Sequence, residues 1–233
     1  MLGRILIGSA ILAASLGFSG CSDSDDASMM TAPQTMPKYE VSIVNLTAAQ
    51  PMSPVALVLH SSNYHLYTLG ERATVALEKL AEGGDNSAVL DGAMGTTDVD
   101  EAHSSEGLLL PGAKTQVVIE GDASYLSIAS MLVNTNDGFV GLESYHLSHL
   151  VKGESVKLSL STYDAGTEAN SESAESVPAQ QGEGFNAVRD DANAMVRYHA
   201  GVVSSDDGLS SSALSSIHRF DNPTASLVIK RIN

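Results

Sequence analysis

The chain predicts an all-β protein: an antiparallel β-sandwich with one short helix and long polar loops. Three observations carry that expectation. Residues 154–163 alternate, with Val156, Leu158, Leu160 and Thr162 on one face and Ser155, Lys157, Ser159 and Ser161 on the other, the period of a half-buried strand. Further short apolar runs recur with turn residues between them, the spacing of a sandwich. One stretch alone has a clear helical period. Hydrophobic residues make up 43% of the chain, enough to build a core.

In chain order, the first element is an address. Arg4 is followed by an apolar stretch at 5–18, too short to span a membrane, which takes about 20 residues. It has the length of the hydrophobic region of a secretory signal peptide, expected over 1–20. The segment ends Phe18-Ser19-Gly20-Cys21, which resembles the lipobox of bacterial lipoproteins. That resemblance makes Cys21 the lipidated first residue of the mature chain, and Ser22 after it implies the outer membrane. Residues 21–37 are mostly Ser, Asp, Met, Thr and Pro without periodicity, expected as a flexible tether. One domain is then expected over 38–233.

Within it, 41–46, 55–59, 115–120, 125–133, 139–147, 154–163 and 226–232 are strand candidates. Ala73, Ala76, Leu77 and Leu80 fall at i, i+3, i+4 and i+7, with Glu71, Glu78, Lys79 and Glu82 around the rest of the cylinder and Gly83-Gly84 as the stop. The stretches 169–183 and 204–216, rich in Ser, Asp, Glu, Ala and Gly, are expected as polar loops.

Charge limits the partners. Twelve Lys and Arg stand against 28 Asp and Glu, a net charge of −16. That balance argues against nucleic acid and against anionic membrane surfaces, both of which need basic patches. The membrane is expected to be reached only through the lipid anchor. With a single Cys there is no disulfide framework and no Cys-based zinc cluster.

Two turns carry the candidate chemistry. Asn134-Thr135-Asn136-Asp137-Gly138 lies between the strands at 125–133 and 139–147, and Asp164-Ala165-Gly166-Thr167-Glu168 follows the strand at 154–163. If the three strands form a meander, both turns fall on the same end of the sheet, with strands one and three about 10 Å apart. Asp137, Asp164 and Glu168 would then repel one another unless a cation sat among them. Calcium (Ca2+) suits this all-oxygen set; zinc does not, because no His or Cys lies in either turn. Asn-Asp-Gly and Asp-Ala-Gly are also ordinary turn sequences, so a purely structural reading stays open.

These residues resemble the spondin N-terminal domain family, in its bacterial branch. Asn45-Leu46-Thr47, Gln50, Ser53-Pro54, Leu66-Tyr67 and Ala81-Glu82-Gly83-Gly84-Asp85 are similar to its first half. The run from Ser127 to Gly141 is similar to its central block, and Tyr163-Asp164-Ala165-Gly166-Thr167-Glu168 to its most specific motif. The resemblance covers 39–170 well and 224–232 more loosely. It implies about eight antiparallel strands in a sandwich similar to calcium-dependent phospholipid-binding modules, and a calcium held by Asp137, Asp164 and Glu168. Glu168 stands where animal members usually carry Asp.

The expected function is a calcium-binding lipoprotein of the cell envelope that binds or adheres to a protein or glycan and catalyses nothing. The alternative is a periplasmic or surface hydrolase using Asp137 and Asp164 as an acid/base pair. There is no G-x-S-x-G elbow, H-E-x-x-H helix or phosphate loop to support an enzyme. A third reading is an assembly module docking through a sheet edge or the polar loops. His146 and His149 form the best histidine pair, but i and i+3 face opposite ways on a strand. His60, His65, His199 and His218 have no partner that the sequence identifies.

Overall fold

Strand alternation along this chain builds a sheet that curls almost into a ring. The computed structural model describes residues 35–182 and 184–233; the expected leader, Cys21, most of the tether and Glu183 lie outside them. Nine strands are β1 Lys38–Asn45, β2 Ala56–His60, β3 Val99–Ser104, β4 Lys114–Glu120, β5 Tyr125–Met131, β6 Gly138–His146, β7 Ser155–Asp164, β8 Arg197–Tyr198 and β9 Ala225–Arg231. They run β3-β2-β5-β6-β7-β9-β1-β4, every neighbour antiparallel, with β8 on the end of β7.

The sandwich arises because β7 serves both layers. Its first part pairs with β9, from Ser155↔Lys230 to Leu160↔Ala225, and its last part with β6, from Gly141↔Ser161 to Gly138↔Asp164. A strand that changes sheets turns a corner, and the two layers then face each other. Val41, Leu57, Leu59, Ile119, Leu126, Ile128, Leu160, Leu227 and Ile229 fill the space between them. The ring stops at a seam between β3 and β4. There the Glu101 carboxylate accepts from the Glu120 backbone N–H, and the Asp100 carboxylate accepts from that of Ala123 at 2.6 Å.

A second apolar cluster lies on the outside of one layer. Ala56, Val58, Ala129 and Phe139 meet Leu77, Leu80 and Ala81 of helix α1 (Val75–Gly83), and Val89 and Ala93 of helix α2 (Ser87–Met94). β2 is therefore buried at every position, which is why it reads as an unbroken apolar run. The Thr74 hydroxyl caps α1 by accepting from the Leu77 N–H at 3.1 Å. Gly84 ends it at φ 68°, its N–H on the Leu80 carbonyl.

One expectation is corrected. Among the described residues there are two helices, not one: α2 has no side-chain cap and carries Gly92 in its interior, so local signals do not mark it. The acidic face of α1 is partly covered, since Glu78 and Glu82 are each only 2% exposed. The segment after Gln181 covers them. Arg189 forks onto Glu78 with bonds of 2.8 and 2.6 Å, and the Asn186 N–H donates to Glu82 at 2.8 Å. The other polar stretches are tied down as well, with Val177, Ser204 and Leu214 fully buried.

Candidate functional site: an acidic rim over the β6–β7 pair

The β5–β6 hairpin and the end of β7 meet at one end of the sandwich, as the meander predicts. Asp137 immediately precedes β6, and Gly138 pairs with Asp164, so the two aspartates come from adjacent strands rather than from strands two apart. The Asp137 carbonyl also accepts from the Ala165 N–H at 3.2 Å.

The turn after β7 wraps its backbone around Asp137. Asp137 Oδ2 accepts from the N–H of Thr167 at 2.7 Å, the Thr167 hydroxyl at 3.1 Å and the N–H of Glu168 at 3.1 Å. Gly166 makes the wrap possible at φ 69°, a left-handed conformation in which a Cβ would stand 2.5 Å from the Met195 nitrogen. Oδ1 of the same carboxyl is buried with no partner among the described residues. An unpaired carboxylate oxygen away from water is costly, so this atom needs an explanation.

Asp164 is buried beside it and differently satisfied. Its Oδ1 accepts from the Gly166 N–H at 2.8 Å; its Oδ2 accepts from Asn170 at 2.7 Å and from Arg197 at 2.8 Å. Arg197 also reaches Asp191 at 2.6 Å. Burial, then the Asp164 charge, pushes the Asp137 carboxyl well above the usual carboxylate range. Asp164 is raised as well, because burial outweighs its bond from Asn170 and the Arg197 charge. Glu168, half-buried, rises to about 8 through burial and the charges of Glu82, Asp137 and Asp190.

Sequence reasoning missed Glu172 and assigned it to a polar loop. It is 2% exposed, at φ 55°, and Oε1 accepts from the Val203 N–H at 3.2 Å, while Oε2 has no partner. Burial and the nearby Asp164 lift its carboxyl to about 7. Nothing local in the sequence marks it, since the fold-back of 169–177 alone brings it in. Arg197 was missed for the same reason. Four acids and one close guanidinium thus share this rim, and beside it a depression of about 610 Å³ opens at Glu168 and Asp190. Among the described residues, no three His, Cys, Asp or Glu side chains converge in metal-binding geometry.

The two turns, in this order and on this fold, are matched by the family model described as Spondin_N, over residues 31–194. The chain belongs to the spondin N-terminal domain family. No curated protein matches it.

The spondin motif residues of the first half support the rim from below. Asn45 donates to the carbonyls of Gln50 and Leu109 at 2.8 and 3.0 Å and accepts from Thr47. Gln50 donates to the Asn134 and His218 carbonyls and accepts from the Asn134 N–H at 3.0 Å. Ser53 accepts from the Met131 N–H at 3.0 Å. These side chains fasten the loops at this end of the sandwich.

Of the histidines, only His199 is shown against the rim, its ring beside Gly138. His60 is fully buried, bonded to Ser127 and the Ser61 carbonyl, and burial lowers its pKa. His146 packs on Tyr125 and His149 on Tyr145. His199 is buried with Nε2 unpartnered, and desolvation lowers it to about 4, which keeps it neutral.

Proposed function

We propose that this spondin-family chain is a calcium-binding module of the bacterial cell envelope, tethered by a lipid on Cys21 and exposed to protein or glycan partners. Spondin N-terminal domains are binding modules of the adhesion type, and that coarser function follows from membership. The calcium reading rests above all on Asp137 Oδ1, a buried carboxylate oxygen with no hydrogen-bond donor. The chemistry of Asp137, Asp164 and Glu168, carboxylate oxygens without His or Cys, suits a hard cation, although among the described residues the three do not converge in metal-binding geometry, so an ion would have to draw them together. Bound there, calcium would supply the positive charge that the clustered carboxyls lack. The chain's own contribution is to hold Asp137 with three donors on Oδ2, leaving Oδ1 for the ion. Arg197 occupies Asp164 Oδ2, so calcium and the guanidinium compete for that oxygen.

The test is elemental analysis of the purified protein together with calorimetric calcium titration. A stoichiometric calcium site, lost in Asp164→Ala, is the expected result; an unchanged melt and no heat on calcium addition would sink the metal reading. For the anchor, metabolic labelling with a fatty acid should mark the chain and fail in Cys21→Ser. The hydrolase alternative needs its two carboxyls at a cleft open to substrate, and Asp137 and Asp164 are 0% and 1% exposed. Among the described residues, no helix is long and apolar enough to cross a membrane.

A further inference from the structure

A groove of about 560 Å³ lies away from the acidic rim, on the outer face of β6 and β7. It exists because the cover on that face is incomplete. Helices α1 and α2 pack over β2, β5 and the start of β6, and the chain at 65–69 forms one wall. Beyond that wall β6 offers Gly141 and β7 offers Ser159 and Ser161, and such small residues leave a hollow. Its volume falls within the roughly 300–1,000 Å³ of small-ligand sites.

Tyr67 and Tyr163 supply two rings, 5.2 Å between centroids, and Tyr198 extends the row at 5.1 Å from Tyr163. Tyr67 lies so close over Gly141 that a Cβ there would meet its hydroxyl at 2.5 Å. That hydroxyl is buried, and the Tyr163 hydroxyl is its polar neighbour. Tyr163 is the less buried of the two rings and the one set to meet a ligand.

The polar groups decide the ligand class. Glu143 Oε2 accepts from the Leu66 and Tyr67 N–H groups and the Ser127 hydroxyl, and Oε1 from Ser144 and His65. Five donors exhaust the roughly four lone-pair sites of a carboxylate, so an incoming ammonium finds none free. Neither Lys nor Arg lines the groove, and the chain carries −16, so an anion is not favoured either. What remains open are groups that both donate and accept, since the Ser159 and Ser161 hydroxyls make no hydrogen bond to the described residues. The second nitrogen of His65 is likewise unused. Hydroxyls spaced beside aromatic rings match a molecule that is apolar on its faces and hydroxylated at its rim.

The geometry points to this groove as a binding site for a neutral saccharide, seated against Tyr67 and Tyr163 and hydrogen-bonded by Ser159 and Ser161. The proposal deepens the binding-module reading by naming a ligand class, and it does not depend on calcium. It is tested by NMR titration of the purified protein with glucose, galactose, N-acetylglucosamine and their disaccharides, in calcium and in chelator. Choline and glucuronate serve as the cationic and anionic comparisons.

At least one neutral sugar should shift signals of β6 and β7 saturably, with a Kd of about 10 mM or tighter. Chelation should leave that affinity unchanged, so loss of calcium binding and loss of sugar binding are separable results. Ser161→Leu, which fills the hollow, should weaken binding about tenfold; exposed Ser159→Leu replaces it if that variant misfolds. Tyr163→Phe should weaken binding severalfold while the protein stays folded. No shift from any neutral sugar, tighter binding of choline or glucuronate, or full affinity in the filled variant would overturn the proposal.

Discussion

At Asp137, three donors hold one carboxylate oxygen and the other has none. Asp137→Asn keeps an acceptor for those donors and removes a buried charge. The expected outcome is twofold: a higher melting temperature than wild type in chelator, and no further rise when calcium is added. Differential scanning fluorimetry reads both. Gly166 is the other position where chemistry is dictated, by its left-handed backbone and the Met195 main chain against it. Gly166→Ala should cost roughly 2 kcal/mol or more in a urea melt, whereas Gly153→Ala, with open space around it, should cost less. Asp137, Asp164 and Gly166 were legible in the sequence because turn chemistry and alternation act locally. Glu172 and Arg197 were not, since each reaches the rim through a chain excursion that no local period encodes.

Helix α1 shows the same division within a single element. Its stripe and its Gly83-Gly84 stop are local, and the helix lies where they place it. The burial of Glu78 depends on Arg189, 111 residues away in sequence, and no pattern on the helix foretells it. Arg189 also donates to the Ala73 carbonyl at 2.9 Å, so it fastens the strap at 184–190 across the helix start. Removing it leaves Glu78 buried and unpaired. Arg189→Ala should therefore destabilise by about 3 kcal/mol in denaturant unfolding, and the double variant Arg189→Ala with Glu78→Gln should recover part of that loss. β3 and β8 escaped the sequence reading for another reason. β3 is acidic and half-exposed, without a clean alternation, and β8 is two residues long.

Over the whole molecule, the charge of −16 is unevenly stressed. Asp137, Asp164, Glu168 and Glu172 all hold their protons more tightly in the fold than in the open chain. For a carboxyl raised by folding, the stabilisation is fully present below the unfolded value and is lost as pH rises through the folded one. Buried neutral His199 has the opposite sign: its contribution is present above 6.5 and fades as pH falls toward about 4. Above pH 6.5 the carboxyls therefore act alone. In chelator the melting temperature should fall between pH 6.5 and about 8, the range in which Glu172 and Glu168 ionise. Saturating calcium should flatten that slope, since a bound dication favours the ionised forms. Equal slopes with and without calcium would count against an ion on the rim.

The seam where β3 meets β4 bears on how the molecule behaves in a crowd. A curled sheet ends in two strands, and a strand end with bare N–H groups is a template for a neighbour's backbone. Here the ends turn toward each other, and carboxylates of Asp100 and Glu101 occupy N–H groups across the gap. Asp122 stands alongside, with Glu120 paired to Lys38 at 2.9 Å, so a second copy approaching this line would meet a surplus of like charge. Replacing Asp100 and Glu101 together with valine should leave the core intact and make the purified domain self-associate, visible as a rise in light scattering with time. On this reading, acidic side chains at one narrow gap guard a β-rich surface against pairing with its own kind.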